Sequence, residues 1–166
     1  MALLIPGDPL AATTHFALLA SAKRTGIDVQ VIHASSILTA VAETGLHLYK
    51  FGRTTTFCFP QRGFEPKSPY ETIRQNRSAG LHTLVLLDVQ PDRSMTVAEA
   101  LELLLTSMPD LRDVPLVAAS RLGSEKQNIA YGTGERLLRE RFDVPAALVV
   151  PGALHFTEEE ALRSWT

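Results

Sequence analysis

One cysteine, one tryptophan and no long apolar run characterise this 166-residue chain before any motif does. A lone Cys58 excludes an intrachain disulfide, and its place inside Phe57-Cys58-Phe59 reads as a buried, inert thiol. No stretch approaches the ~20 apolar residues that span a bilayer. The longest runs, LVLL at 84–87 and AALVV at 146–150, have the length of buried strands. No basic segment precedes an apolar targeting sequence, so the expected setting is cytoplasmic, with no membrane partner. Positive charge is also scarce: 16 Lys and Arg stand against 18 Asp and Glu, for a formal net charge of -2. Nucleic-acid binding needs concentrated basic charge to displace counterions, and that class is set aside.

Signature motifs are missing as well. Gly123-Ser124-Glu125-Lys126 does not make a G-x-x-x-x-G-K-[ST] phosphate loop, and there is no G-x-S-x-G nucleophile elbow. His15, His33, His47, His82 and His155 fall in no metal-ligand spacing, so no metal is expected. Gly132-Thr133-Gly134 has Leu137 where a dinucleotide loop has its third glycine, and reads as a turn with a helix cap.

What is present is a run of alternating strand and helix signals. The segment at 2–6 has the unbroken apolar character of a strand covered on both faces. Pro6 and Pro9 end it, and Thr13 or Thr14 starts a helix from His15 to about Thr25, stopped at Gly26. A strand at 28–34 follows, then Ser35 or Ser36 opens a helix that Gly45 closes. Beyond Gly52 a Thr- and Phe-rich strand leads into the loop QRGFEPKSP, with a helix starting at Ser68-Pro69. Further strands are expected at 81–88, in VPLVAAS, in NIAYG and in AALVVP. Helices are expected after the capping box Thr96…Glu99, from Glu135 to Phe142, and after a cap in Thr157–Glu160. The fold class is therefore α/β. Residues 1–51 form a first part with two strands, and residues 52–166 a second α/β domain with a mixed sheet of about five strands.

Four strand ends carry small, turn-forming or polar residues. Pro6-Gly7-Asp8-Pro9 fixes a rigid corner, either a ligand-binding loop at a strand's carboxyl end or a tight turn whose Asp satisfies its own backbone. Ser35-Ser36 presents a helix N-terminus or is a plain cap. Leu87-Asp88 ends another strand, and Pro151-Gly152 leads to His155. A single cleft between two sheets would use all four.

These segments, in order IPGDPLAATTH, VQVIHASSI, TGLHLYKFGRT, FEPKSPYETI, GLHTLVLLDVQPDRSMTVAEALELLL and VPGALHF, resemble the archaeal-type diphthine synthase family. That family belongs to the tetrapyrrole-methylase superfamily. The resemblance implies a two-domain fold with S-adenosyl-L-methionine folded into the cleft of a homodimer. It also implies methylation of the amino group on a modified histidine of translation elongation factor 2, leaving S-adenosyl-L-homocysteine. Carried over by position, the cofactor contacts fall on Asp8, Ala11, Ser36, Ile37, Leu87, Ala130 and His155. Around Ala130 the run ASRLGSEKQNIAYG departs from the family pattern, and no residue is marked as a catalytic base. Family members open with a strand and a Leu-Gly-containing loop that this chain lacks. The expectation is an incomplete N-terminal domain with residues 3–6 as an interior strand. The alternatives are a methyltransferase acting on a tetrapyrrole ring, and a non-catalytic dimerising fragment.

Overall fold

Hydrophobic alternation and capping account for most of the elements in the computed structural model, which describes residues 1–61, 63 and 66–166. Arg62, Phe64 and Glu65, which fall in the expected loop before Ser68, lie outside the described residues. Two compact units are present, residues 1–40 and 41–166.

In the first unit α1 (Phe16–Arg24) and α2 (Ile37–Ala40) are the regular elements. The strands expected at 2–6 and 28–34 are not formed. A strand is defined by its ladder, and the backbone bond that joins this part of the chain, Asp8 N–H to Ser35 O at 2.8 Å, lies just beyond both segments. α1 begins one residue after His15, whose side chain makes no cap bond, while Thr13 Oγ1 of the expected threonines accepts from His15 N–H at 3.4 Å. Large apolar side chains of this unit, Leu3, Leu4, Phe16 and Ile32 among them, are exposed.

The second unit carries a five-stranded mixed sheet: β1 (Thr55–Phe57), β2 (Thr83–Leu87), β3 (Leu116–Ser120), β4 (Asn128–Gly132) and β5 (Ala146–Val150), in the order β1-β2-β5-β3-β4. β1 and β2 are parallel; every other pair is antiparallel. Period-two alternation sends Val85, Leu87, Leu116, Ala118, Ala130, Leu148 and Val150 into one apolar cluster with Leu101, Leu104 and Leu105 of α4 (Val97–Ser107). Leu84, Val117, Ala147 and Val149 point the other way and are equally buried. Burial on both faces explains why these strands read as continuous apolar runs.

Among the helices, α4 starts at the capping box spelled by Thr96 and Glu99, each side chain bonding the other's backbone N–H. α3 (Ser68–Ser78) has Pro69 in its first turn, but Ser68 does not act as a cap. α5 is a single turn, Gly134–Leu137, shorter than the helix expected to Phe142. α6 (Phe156–Arg163) is capped by His155 instead of Thr157. On the α6 side, Trp165 Nε1 donates to Thr44 O at 3.2 Å and Tyr131 N–H to Trp165 O at 2.8 Å, tying the chain end to the 41–44 turn and to β4. Cys58 is exposed, contrary to the buried thiol expected, because β1 is an edge strand that ends at Phe57. No helix among the described residues is long and apolar enough to cross a membrane.

Candidate functional site

Two polar clusters gather around the expected strand ends, one in each unit. In the first unit the Pro-Gly-Asp-Pro corner is latched to the 33–36 segment. Gly7 takes φ +80°, a left-handed conformation that glycine adopts without a Cβ penalty. That turn aims the Asp8 carboxylate back across the loop. Its Oδ1 accepts from Leu10 N–H at 2.9 Å; its Oδ2 accepts from Ala34 N–H at 3.2 Å and from His33 Nδ1–H at 2.8 Å. The Leu10 bond foremost, then the His33 bond, holds the carboxyl below its ordinary range, so Asp8 is anionic at neutral pH. Ser36 caps α2: its carbonyl accepts from Thr39 and Ala40 N–H, and its Oγ from Leu38 N–H at 3.2 Å. Asp8 and Ala11 thus sit on the corner, Ser36 and Ile37 at the start of α2, and the Asp8 carboxylate joins the two through His33 and Ala34. The tight-turn alternative for Asp8 is also realised, since Oδ1 closes an Asx turn and Oδ2 the latch.

In the second unit His155 leads a denser cluster built on Glu158, whose side chain is fully buried. Oε1 accepts from His47 N–H at 2.8 Å and from His82 Nε2–H at 3.0 Å. Oε2 accepts from His155 N–H at 2.8 Å and pairs with the Lys50 ammonium. Burial pushes this carboxyl up, but Lys50, the two backbone N–H groups and His82 together outweigh it and bring it down to about 2. His82 is also fully buried; its Nδ1 accepts from Gly152 N–H at 2.9 Å, which puts the ring proton on Nε2, facing Glu158. Burial lowers the His82 pKa, against the pull of Glu158. Lys50 Nζ also donates to Ala153 O at 2.6 Å, and Ala153 N–H to Gly80 O at 3.1 Å. The turn from Pro151 to His155 is therefore held from several directions, and the exposed His155 ring is presented on a rigid support.

Leu87 ends β2 and Ala130 lies in mid-β4 opposite Ala118; both side chains belong to the apolar cluster, and His155 stands outside it. Sequence reasoning missed His33, Lys50, His82 and Glu158. A signal existed for Glu158: it stands three residues after His155, the spacing of a capping box, with histidine in the place of Ser or Thr.

Comparison with known proteins matches the model of the tetrapyrrole (corrin/porphyrin) methylase family over residues 1–138. The chain belongs to that family. It is 43% identical over 171 residues to the diphthine synthase of Methanocaldococcus jannaschii, covering 96% of this chain and 66% of that protein. With the diphthine synthase of Methanococcus maripaludis it shares 41% identity over 170 residues, with the same coverages. A crystal structure of diphthine synthase superposes with a TM-score of 0.89 at 38% identity, covering 99% of this chain and 64% of the other. The chain thus spans about two thirds of the length of the curated relatives it matches.

Proposed function

We propose that the protein is an S-adenosyl-L-methionine-dependent N-methyltransferase of the diphthine synthase type, acting on the amino group of a modified histidine in translation elongation factor 2. The observation that carries this reading is the similarity to diphthine synthases along 96% of the chain at 43% identity. In this reading it works in the cytoplasm as a homodimer. Residues 1–51 belong to the cofactor domain and residues 52–166 form the second α/β domain.

The residues present suit such a cofactor. An anionic Asp8 has lone pairs beyond those its latch uses, and so offers acceptors to ribose-type hydroxyls and attraction to a cation. Ala11, Ser36 and Ile37 contribute main-chain and packing surface on the joined loops, and His155 a ring donor on the second unit. Leu87 and Ala130, with side chains committed to the core, act through packing and backbone. When bound, the cofactor supplies a methyl group on a sulfonium: an N–C bond forms as the S–C bond breaks, leaving S-adenosyl-L-homocysteine and a proton from the amine. The protein's own task is alignment and exclusion of water. Rigid loops serve that task, because a pre-set corner loses little entropy on binding.

The test is transfer of labelled methyl from S-adenosyl-L-methionine to elongation factor 2 carrying the 3-carboxy-3-aminopropyl histidine. Labelled protein supports the proposal. Transfer to a porphyrinogen or corrin precursor but not to the factor moves the assignment to tetrapyrroles.

A further inference from the structure

His155 is joined to a second imidazole through one hydroxyl. His155 Nδ1 lies 2.8 Å from Thr157 Oγ1, and Thr157 Oγ1 lies 3.2 Å from His47 Nε2. The direction of this chain is fixed by a group that only donates: Thr157 N–H points at the same His155 Nδ1, at 3.4 Å. His155 Nδ1 is therefore a lone pair, and the Thr157 hydroxyl, facing it, donates as well. With its hydrogen directed at His155 Nδ1, the hydroxyl oxygen accepts from His47, whose Nε2 carries the hydrogen. On the far side of His47, Nδ1 then accepts from the Tyr49 hydroxyl at 2.8 Å, and the ring stacks on Tyr49 with centroids 5.1 Å apart. Both ends are fixed by one carboxylate, since Glu158 accepts from the backbone N–H of His47 and of His155.

We propose that Thr157 and His47 are positioning residues for His155, occupying its Nδ1 so that the exposed ring offers Nε2–H to an acceptor atom of the bound nucleoside. The role of His155 in binding rests on the function proposed above; the relay itself rests on the four contacts. Imidazole tautomers are selected in this way wherever one ring nitrogen is engaged by a fixed partner. Behind the relay Glu158 holds the backbone of His47 and His155 and has its Oε1 3.6 Å from His47 Nδ1, while Lys50 and His82 pair with Glu158 itself.

Histidine-selective 15N spectroscopy of the 166-residue chain reads the relay directly. The expected result is His155 with its proton on Nε2, a loss of that preference in Thr157→Val, and its return in Thr157→Ser. A wild-type His155 with its proton on Nδ1, or a Thr157→Val spectrum identical to wild type, overturns the relay. Calorimetry with S-adenosyl-L-homocysteine reads its consequence. Thr157→Val weakens binding about 3- to 10-fold, the worth of one ordinary hydrogen bond. In a His155→Ala background the same substitution has no further effect. Equal cost in both backgrounds assigns Thr157 to the helix and overturns the positioning role. Absence of binding by the wild-type chain overturns the nucleoside reading instead, and the spectra then decide the relay.

Discussion

His82 donates from Nε2 to Glu158 Oε1 over 3.0 Å, with both side chains fully buried, joining the start of β2 to the first turn of α6 across 76 residues of sequence. The same carboxylate pairs with the Lys50 ammonium and accepts from two backbone N–H groups. Breaking one member of such a buried set leaves the others without compensation. Glu158→Gln is expected to lower folding stability by about 3 kcal/mol, measured by urea denaturation. A loss below about 1 kcal/mol would contradict the central place given to this residue.

Acid should act on the same cluster in two stages. His82 has a folded pKa below its ordinary 6.5, chiefly through burial, so the unfolded chain takes up that proton first and stability falls as pH drops below about 6.5. Glu158 is held down at about 2 against an ordinary 4.5, so its contribution is complete above about 4.5 and is lost as pH falls toward 2. Unfolding free energies measured from pH 7 to pH 3 should show both declines, and Glu158→Gln should flatten the lower one. An unchanged slope in that variant below 4.5 places the titration elsewhere.

Gly152 has no room for a side chain. An added Cβ would lie 2.5 Å from Gly80 C, Gly80 O and Leu81 O, all backbone atoms that do not rotate away. Gly152→Ala should cost about 2 kcal/mol in stability and disturb the bond from Gly152 N–H to His82. Thermal melts check the first effect, and the His82 ring resonances the second. A variant as stable as the wild type removes the proposed rigidity of this turn.

Cys58 is exposed, and partial burial foremost, with the Asp88 charge beside it, raises its thiol pKa. A disulfide reagent should titrate one thiol per native chain, slowly at neutral pH and faster as pH rises. Protection until denaturant is added would contradict the exposure.

How much of this could be read beforehand depends on how far apart the partners lie. β2, β3 and β5 were legible because burial on both faces makes them continuous apolar runs, and α4 because Thr96 and Glu99 spell its cap within four residues. The segments at 2–6 and 28–34 have strand composition but no ladder in the structure, and pairing is a tertiary property that composition does not encode. α6 began earlier than expected because its cap is a histidine, outside the usual capping set. Asp8 and Ser36 stood out at a rigid corner and a helix start. His33 did not, since its bond to Asp8 closes over 25 residues; Glu158 had a local signal three residues after His155, but its bond to His47 N–H closes over 111.

The functional proposal turns on whether this chain binds an S-adenosyl nucleoside, with Asp8 and His155 each proposed as a contact. Isothermal calorimetry with S-adenosyl-L-homocysteine on the wild-type chain, Asp8→Asn and His155→Ala tests it most directly. The account predicts measurable heat for the wild type and binding about tenfold weaker in each variant, with both variants still folded. No heat from the wild type, or three equal affinities, would contradict it.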